Sequence, residues 1–555
     1  MSNAPADFAA PLVPGRLPEL LDETVRRFPG ASAIDFLGRR FTYGELGGLV
    51  DRAAAGLQRL GVGKDTRVGL FLPNTPFSVV AYFAILKAGG TVVPFNPLYA
   101  EPEVRHQVHD SGTRIMFVLD LADHYAKVSA QLGGGVLEHV VICPLAEAMP
   151  ALKGMAFNLL QRKRRAHVVA DARNTFFSQL VATHEAPKPV AIDPADPAIL
   201  QYTGGTTGTP KAATLTHANL TIQAQQLVRW SPEIVYGGER VLGILPLFHV
   251  FAMSVVMLFS VTSGGEMILL PRLDLDMLMK TIRRRRPTYV PGVPTLYTAI
   301  ANAAEKKGYD LSFIRICLSG GAPLPDEVRV RFQKLTGCML VEGYGLSETS
   351  PVVTVNPPGD KGKPGSVGLP VAGTTIEIRS VDDSHKLLPT GERGEVCIRG
   401  PQVMAGYWNR PDETAHVMID GALRTGDVGY LDADGYLYLV DRLKDLIICS
   451  GFNVYPRNIE EALYRHPAVA EAAVIGVRDE YRGEAPKAFV QLRPGESASA
   501  DEIKAFLAGQ ISKIELPREI EFRDALPKSA VGKILRRSLA AEEAEKDKAQ
   551  AGKAA

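Results

Sequence analysis

Short apolar runs alternate with longer amphipathic or wholly apolar ones along most of the chain, with glycines at the stops. Residues 67–72 read as a buried strand ending at Pro73 and Asn74. Residues 76–88 read as a helix stopped by Gly89 and Gly90, and 91–94 as the next strand. The strand texture returns at 114–119, 266–270 and 288–290. Strand, helix, strand with short stops predicts a parallel sheet covered by helices on both faces. From about Gly368 the pattern changes. Residues 374–379 and 394–399 alternate like half-exposed strands, and Gly421, Gly426, Gly429 and Gly435 punctuate the next stretch, which predicts a β-rich subdomain. After the strand-like 436–440, new strands and a helix begin at 472–477, 487–492 and 501–508. A boundary is therefore expected near 442–444, dividing the chain into 1–441, a small α+β domain at 442–539, and a tail at 540–555. The tail is rich in Ala, Glu and Lys without apolar anchors, and is expected to be a frayed helix or disordered.

One run, 244–261, carries no formal charge and meets the minimum length for a membrane span. Pro246 and His249 near its start and Gly264-Gly265 just after it favour a buried helix of a large α/β domain. The opening residues lack a basic stretch followed by an apolar core, so no signal peptide is expected. The 555 residues exceed what one hydrophobic core can hold. With 62 Lys+Arg against 61 Asp+Glu, nothing suggests a nucleic-acid binder. The five cysteines show no CxxC spacing, which disfavours a zinc ribbon or a disulfide framework and favours a reducing compartment such as the cytoplasm. Two basic clusters stand out, 162–165 and 283–286. Both suit a solvated helix end. The first directly follows the apolar 155–160, so Met155 to Arg165 is also a candidate contact with anionic lipid at the inner face of a membrane.

The strongest local chemistry lies at 201–211, QYTGGTTGTPK, after an apolar strand. Gly204, Gly205 and Gly208 permit successive backbone N–H groups to converge on an anion. Thr203, Thr206 and Thr207 add hydroxyls, Lys211 adds a charge, and Thr203 is also a candidate Mg²⁺ ligand. This is a triphosphate cradle by composition, although not a Walker A loop, because Lys211 neither follows Gly208 directly nor precedes Ser or Thr. A flexible Gly/Thr loop is the plainer reading, and the loop alone does not choose.

The loop resembles the phosphate loop of the adenylate-forming enzymes: acyl-CoA synthetases, luciferases and the adenylation domains of peptide synthetases. Further motifs of that family follow in order at 245–249 (LPLFH), 318–323 (LSGGAP), 342–349 (EGYGLSET), 424–427 (RTGD), 441–445 (DRLKD), 450–456 (SGFNVYP) and 526–534 (LPKSAVGKI). Among branches, the chain looks most like bacterial long-chain fatty-acid–CoA ligases. The resemblance implies an α/β fold. The large N-terminal domain would hold two doubly wound α/β subdomains and a distorted β-barrel subdomain, with a small mobile α+β C-terminal domain. It implies ATP and Mg²⁺ as cofactors, CoA as co-substrate, and activation of a carboxylic acid through an acyl-AMP.

The resemblance also assigns roles. Lys533 matches the lysine that bridges carboxylate and phosphate, although its spacing alone suggests only a surface lysine. Arg442 is the matching cation near ribose and phosphate. Glu348 is the magnesium ligand, together with Thr203. Tyr344 offers a face for adenine with Gly320, Gly321 and Gly343 leaving room beside it, Ala322, Gly345 and Ser347 are further ATP-binding candidates, and Asp427 accepts from the ribose hydroxyls. Lys444 is the hinge about which the C-terminal domain rotates between half-reactions. Gly451 and Phe452 face the pantetheine of CoA. His249 lies beside the acyl site, and Val250, Phe251, Ser254, Val255 and Gly345 are the acyl-pocket candidates. Departures include Ala212 after the loop lysine, Ser347 for a common Thr, and 421–424, which lacks the usual Trp and His. Medium-chain, aromatic or dicarboxylic acids stay open as substrates, with Arg424 or the 283–286 cluster as the partner of a second carboxylate. An acyl-AMP ligase loading a carrier protein and a non-catalytic acyl- or nucleotide-binding relative are the other readings. A homodimer is a further expectation.

Overall fold

The structure is a computed structural model that describes residues 11–168, 170–203, 210–231, 233–450, 452–479, 482–529, 532 and 534–554. Side-chain surroundings are described for these except at 360, 452, 453 and 547–554.

Two α/β sheets form the large part of the chain. The first has eight strands. Its core is parallel: Arg67–Phe71 pairs with Thr91–Pro94 on one side and Thr113–Leu119 on the other, and His139–Cys143 and Asn174–Phe176 extend it outward. Pro197–Thr203 joins in parallel and turns back into the antiparallel Lys211–Thr216. The second sheet has nine strands. There Ser32–Phe36, Glu266–Leu269, Arg240–Gly243, Tyr289–Gly292, Ile316–Ser319 and Met339–Gly345 run parallel. The helix Pro76–Lys87 lies in the core that both sheets share and is buried from Pro76 to Leu86, which is why its sequence is apolar on every face. Asn74 stitches the sheets at that helix's entry. Its Nδ2 donates to the carbonyls of Gly243 and Leu245, and its Oδ1 accepts from the Leu247 N–H.

The apolar run at 244–261 is internal. Val250–Ala252 and Phe259–Ser263 are α-helical, with a π-helical segment, Met253–Leu258, between them, and all of 252–261 is buried. No helix among the described residues is long and apolar enough to cross a membrane.

A third, antiparallel sheet comes next, in which the long strand Ala422–Leu431 pairs with Gly394–Arg399, Met418–Ile419 and Leu437–Arg442. After Arg442 comes a single turn, Leu443–Asp445. The next strand, Ile447–Cys449, already belongs to a fourth sheet with its own core around Ile459, Val474 and Val490. Residues 536–554 are a helix, Arg536–Ala554. Leu539 is fully buried, and Lys487 reaches across to Glu543 at 2.8 Å and to Glu519 and Glu521 at 2.9 Å. Leu539 sits just before the Ala-, Glu- and Lys-rich stretch, whose own contacts are ionic, through Glu542, Glu543 and Lys546. Burial alone would lower the Lys487 ammonium, and the three carboxylates more than reverse that. Lys487→Met removes the one buried cation of the cluster, leaving Glu521 to Arg523 and Lys546 and Glu543 to Lys546, so it is expected to destabilise the C-terminal domain by about 2 kcal/mol. Urea unfolding and earlier proteolysis of the 536–554 helix are the readouts.

Candidate active site

Parallel strands leave their carboxyl ends open to ligands. Here the ends of Pro197–Thr203, Ile316–Ser319 and Met339–Gly345 open into one cleft of about 2630 Å³. The third sheet and the C-terminal domain supply its other walls. Thr203, Lys211, His249, Phe251, Gly320, Gly321, Ala322, Gly343, Tyr344, Gly345, Ser347, Glu348, Asp427, Arg442 and Lys444 all line it. Gly204, Gly205, Thr206, Thr207, Gly208, Gly451 and Lys533 lie outside the described residues, and of Phe452 only the backbone is described, paired with Cys449.

Thr203 and Lys211, which flank the phosphate-loop candidate in the sequence, face each other across the antiparallel pair. The Thr203 hydroxyl donates to the Lys211 carbonyl at 3.4 Å. The Lys211 ammonium is paired with Glu413 and sits 5.5 Å from the Tyr407 ring centre. Tyr202 donates to Asp110 at 2.6 Å, and Arg410 reaches the other oxygen of that carboxylate at 2.9 Å. The segment carrying Tyr407, Arg410 and Glu413 is fastened beside this strand pair by pairing of 406–407 with 213–214 and by the Trp408 N–H donating to Ala212. Sequence reasoning missed these residues. The only signal was a short aromatic and charged cluster, GYWNRPDE, at 406–413. Ala212 itself is buried in the core of the first sheet, where its methyl group fits.

Tyr407 also donates to Glu348 at 2.8 Å, and burial, then that carboxylate, raises its hydroxyl pKa. Glu348 and the Thr203 hydroxyl are hard oxygen donors, a set that suits Mg²⁺. Among the described residues no cluster of three His, Cys, Asp or Glu forms a metal cage. The arrangement fits an ion whose other ligands are phosphate and water.

Asp427 is buried and doubly held. Tyr344 donates to its Oδ2 at 2.6 Å, and the Arg442 Nε stands 3.0 Å from its Oδ1, directly across the strand pair. Each carboxylate oxygen retains a lone pair for a further donor. Two glycines are dictated by close approach: a Cβ on Gly345 would lie 1.6 Å from the Pro351 carbonyl oxygen, and one on Gly320 2.8 Å from the Phe251 ring.

His249 caps the following helix, its Nδ1 accepting from the Phe251 N–H at 3.3 Å. Val250 and Phe251 reach the cleft wall. Ser254 and Val255 stand apart from the other acyl-pocket candidates: they are wholly buried in the π-helical segment, and Ser254 donates to the Ser350 carbonyl. A small apolar cavity of about 30 Å³, lined by Leu227, Trp230, Tyr289 and Ile316 among others, shares Leu318, Met339 and Val341 with the cleft wall.

The cations considered for a second carboxylate are committed elsewhere. Arg284 and Arg285 pair with Asp35, Arg285 also with Glu266, and Arg286 with Asp310, while Arg283 stacks over Tyr309. Arg424 is bound to Glu395.

At the turn after Arg442, burial and then the neighbouring Arg442 charge lower the Lys444 ammonium pKa. Arg536 of the C-terminal domain pairs with Asp445 at 3.2 Å, Asp441 at 3.5 Å and also Glu460. Gly532, next to Lys533, lines the same cleft with a φ of +78°. A Cβ there would lie 3.2 Å from the Thr295 hydroxyl. Gly532 thus lies against the N-terminal wall.

The family model described as AMP-binding enzyme matches residues 21–408, and the model of the AMP-binding enzyme C-terminal domain matches 458–533. The chain is 43% identical over 544 residues to a long-chain-fatty-acid–CoA ligase of Bacillus subtilis, covering 96% of each chain. It is 39% identical to one of Escherichia coli O6:H1, covering 97% of each. A solved anthranilate CoA ligase in complex with anthranoyl-AMP superposes with a TM-score of 0.82 at 27% identity, covering 96% of this chain and 98% of that one.

Glu342 supplies a pH test. It accepts from the Leu324 N–H, and burial pushes its carboxyl up to about 7. The folded chain then keeps a proton that the unfolded chain has released, so this group's contribution is lost as pH rises toward and through about 7. Glu342→Gln is expected to gain stability on the parent over that interval, levelling off near 2 kcal/mol. Thermal unfolding of both proteins between about pH 5 and 8 is the measurement.

Proposed function

The chain belongs to the family of AMP-binding enzymes, and from that premise we propose that it is a long-chain-fatty-acid–CoA ligase working through an acyl-AMP. In the first step a carboxylate oxygen attacks the α-phosphorus of ATP, the α–β phosphoanhydride bond breaks, and pyrophosphate leaves. In the second the CoA sulfur attacks the acyl carbonyl, the bond to the phosphate oxygen breaks, and AMP leaves. CoA brings its own nucleophile, so no protein cysteine is needed. All five cysteines here are buried.

Two anions meet in the first step, so fixed positive charge and hydrogen-bond donors carry the catalysis. The observation that carries the reading is the buried Asp427, held by Tyr344 and Arg442 and open to the cleft beside Gly320 and Gly321. It accepts from ribose hydroxyls while the Tyr344 ring lies against adenine. Arg442 brings its charge to the ribose and phosphate side. Lys211 and the 204–208 loop hold the β- and γ-phosphates. Lys533, entering with the loop at Gly532, bridges the carboxylate and the α-phosphate. Glu348 and Thr203 would hold Mg²⁺, which would offset the charge of the phosphates. Lys444 is the pivot that exchanges the Lys533 loop for the Gly451–Phe452 face, which receives CoA. Val250, Phe251 and Leu318 give the cleft an apolar wall, which favours a hydrocarbon acid. The pairing of Arg424 and Arg283–Arg286 removes the support for a second carboxylate.

Pyrophosphate release with acetate, octanoate, palmitate, pimelate and 4-coumarate, each with and without CoA, tests the substrate. A maximum at palmitate with turnover that requires CoA is expected. A maximum at pimelate or 4-coumarate overturns the fatty-acid assignment, and full turnover without CoA overturns the ligase assignment. Asp427→Asn is expected to raise the KM for ATP by roughly 10- to 100-fold, the range of a hydrogen bond to a charged group. The KM for palmitate should change little.

A further inference from the structure

We infer that the helix Ala151–Leu160 and the turn Arg162–Arg164 form a docking surface for an anionic lipid bilayer. Of the ten residues of this helix only Gly154 is buried, pressed so close to Ala146 that a Cβ would lie 2.5 Å from its carbonyl oxygen. Phe157 is half-buried against the main core. The rest of the apolar content points outward. Leu152, Met155, Leu159 and Leu160 are 78%, 60%, 79% and 76% exposed. Their spacing of i, i+3, i+7 and i+8 places them on one face. A helix that shows its leucines to water and its glycine to the core is built to meet something else.

The charge says what. Residues 148–170 contain no acid and five cations. Arg165 is held by Asp120 at 2.9 Å. Arg162, Lys163 and Arg164 are exposed and, among the described residues, enter no ion pair. The 283–286 cluster differs, because its guanidinium groups are taken up by Asp35, Glu266, Asp310 and Tyr309. Apolar side chains beside unpaired cations match the acyl and headgroup layers of an anionic leaflet. A second copy of this chain is a poorer occupant, because a two-fold contact would bring Arg162–Arg164 against or near its own image. The surface is also remote from the chemistry. None of its residues lines the cleft. The strand His139–Cys143 that leads into it lies four positions along the sheet from Pro197–Thr203, about 19 Å at the usual strand spacing. The inference rests on this surface and stands apart from the ligase reading.

Vesicle co-sedimentation of the full chain tests it, with phosphatidylcholine alone or mixed with phosphatidylglycerol. Binding to the mixed vesicles, weakened by salt and absent or weak with phosphatidylcholine, is expected. Replacing Arg162, Lys163 and Arg164 by Gln should weaken it roughly a hundredfold, at about fivefold per cation. Leu159→Gln with Leu160→Gln should weaken it independently of salt. Both variants should keep the parent's melting temperature and its turnover of octanoate, which needs no membrane to deliver it. Failure of the parent to bind mixed vesicles overturns the inference, as does equal binding by both variants. Loss of a dimer in sedimentation velocity by the leucine variant, with vesicle binding unchanged, overturns it in favour of self-association.

Discussion

A buried carboxylate anchors the architecture of the cleft. Asp427 sits in the third sheet, yet Tyr344, which donates to it, comes from the end of the second sheet, and Arg442 is the last strand residue before the chain enters the C-terminal domain. Burying an ion is costly unless its partners are well placed. Satisfying this one fixes the mutual position of two sheets and the starting point of a third body. The glycines around it reflect the same closeness. Gly345 has no room for a side chain because the cis Ser350-Pro351 turn comes back against it, and Gly320 makes way for Phe251.

A second ionic cluster lies just beyond. Asp441 is buried, accepts from the backbone N–H groups of Arg442 and Arg457, and faces Arg536. Arg442 and Asp441 are adjacent, yet one turns its charge to the large domain and the other to the small one. The chain therefore changes allegiance within a single peptide unit, followed by one turn of 3₁₀ helix. A large backbone change concentrated in this short passage keeps the Asp427–Arg442 pair but must release Asp441 from Arg457 and Arg536.

Much of this was legible in the sequence. The parallel sheets announced themselves through short apolar runs and glycine stops, and the wholly apolar 76–88 marked a helix enclosed between layers. Local motifs found Tyr344, Asp427, Glu348 and Arg442, because each sits in a distinctive short string. What escaped was non-local. Tyr407, Arg410 and Glu413 matter because a two-residue strand lays them beside a strand pair two hundred positions earlier, and no periodicity encodes that. Ser254 and Val255 belong to the apolar run after His249, and only the fold shows that the π-helical segment carrying them is enclosed by core. The basic run 283–286 looked like a charged surface, yet its partners Asp35 and Glu266 come from strands that only the sheet order brings together. The contacts of the tail are hidden for the complementary reason. A helix can be secured by one leucine and a shared lysine, and a search for apolar stripes does not see that.

Lys211 is held by Glu413 before any ligand arrives. An incoming anion therefore meets an ammonium already neutralised by a carboxylate of equal charge. A singly charged ion offers no advantage in that exchange, whereas a triphosphate, with several charges and many oxygens, does. The pairing works as a threshold, leaving the phosphate end of the cleft indifferent to the chloride and small organic acids that surround it and responsive to polyanions.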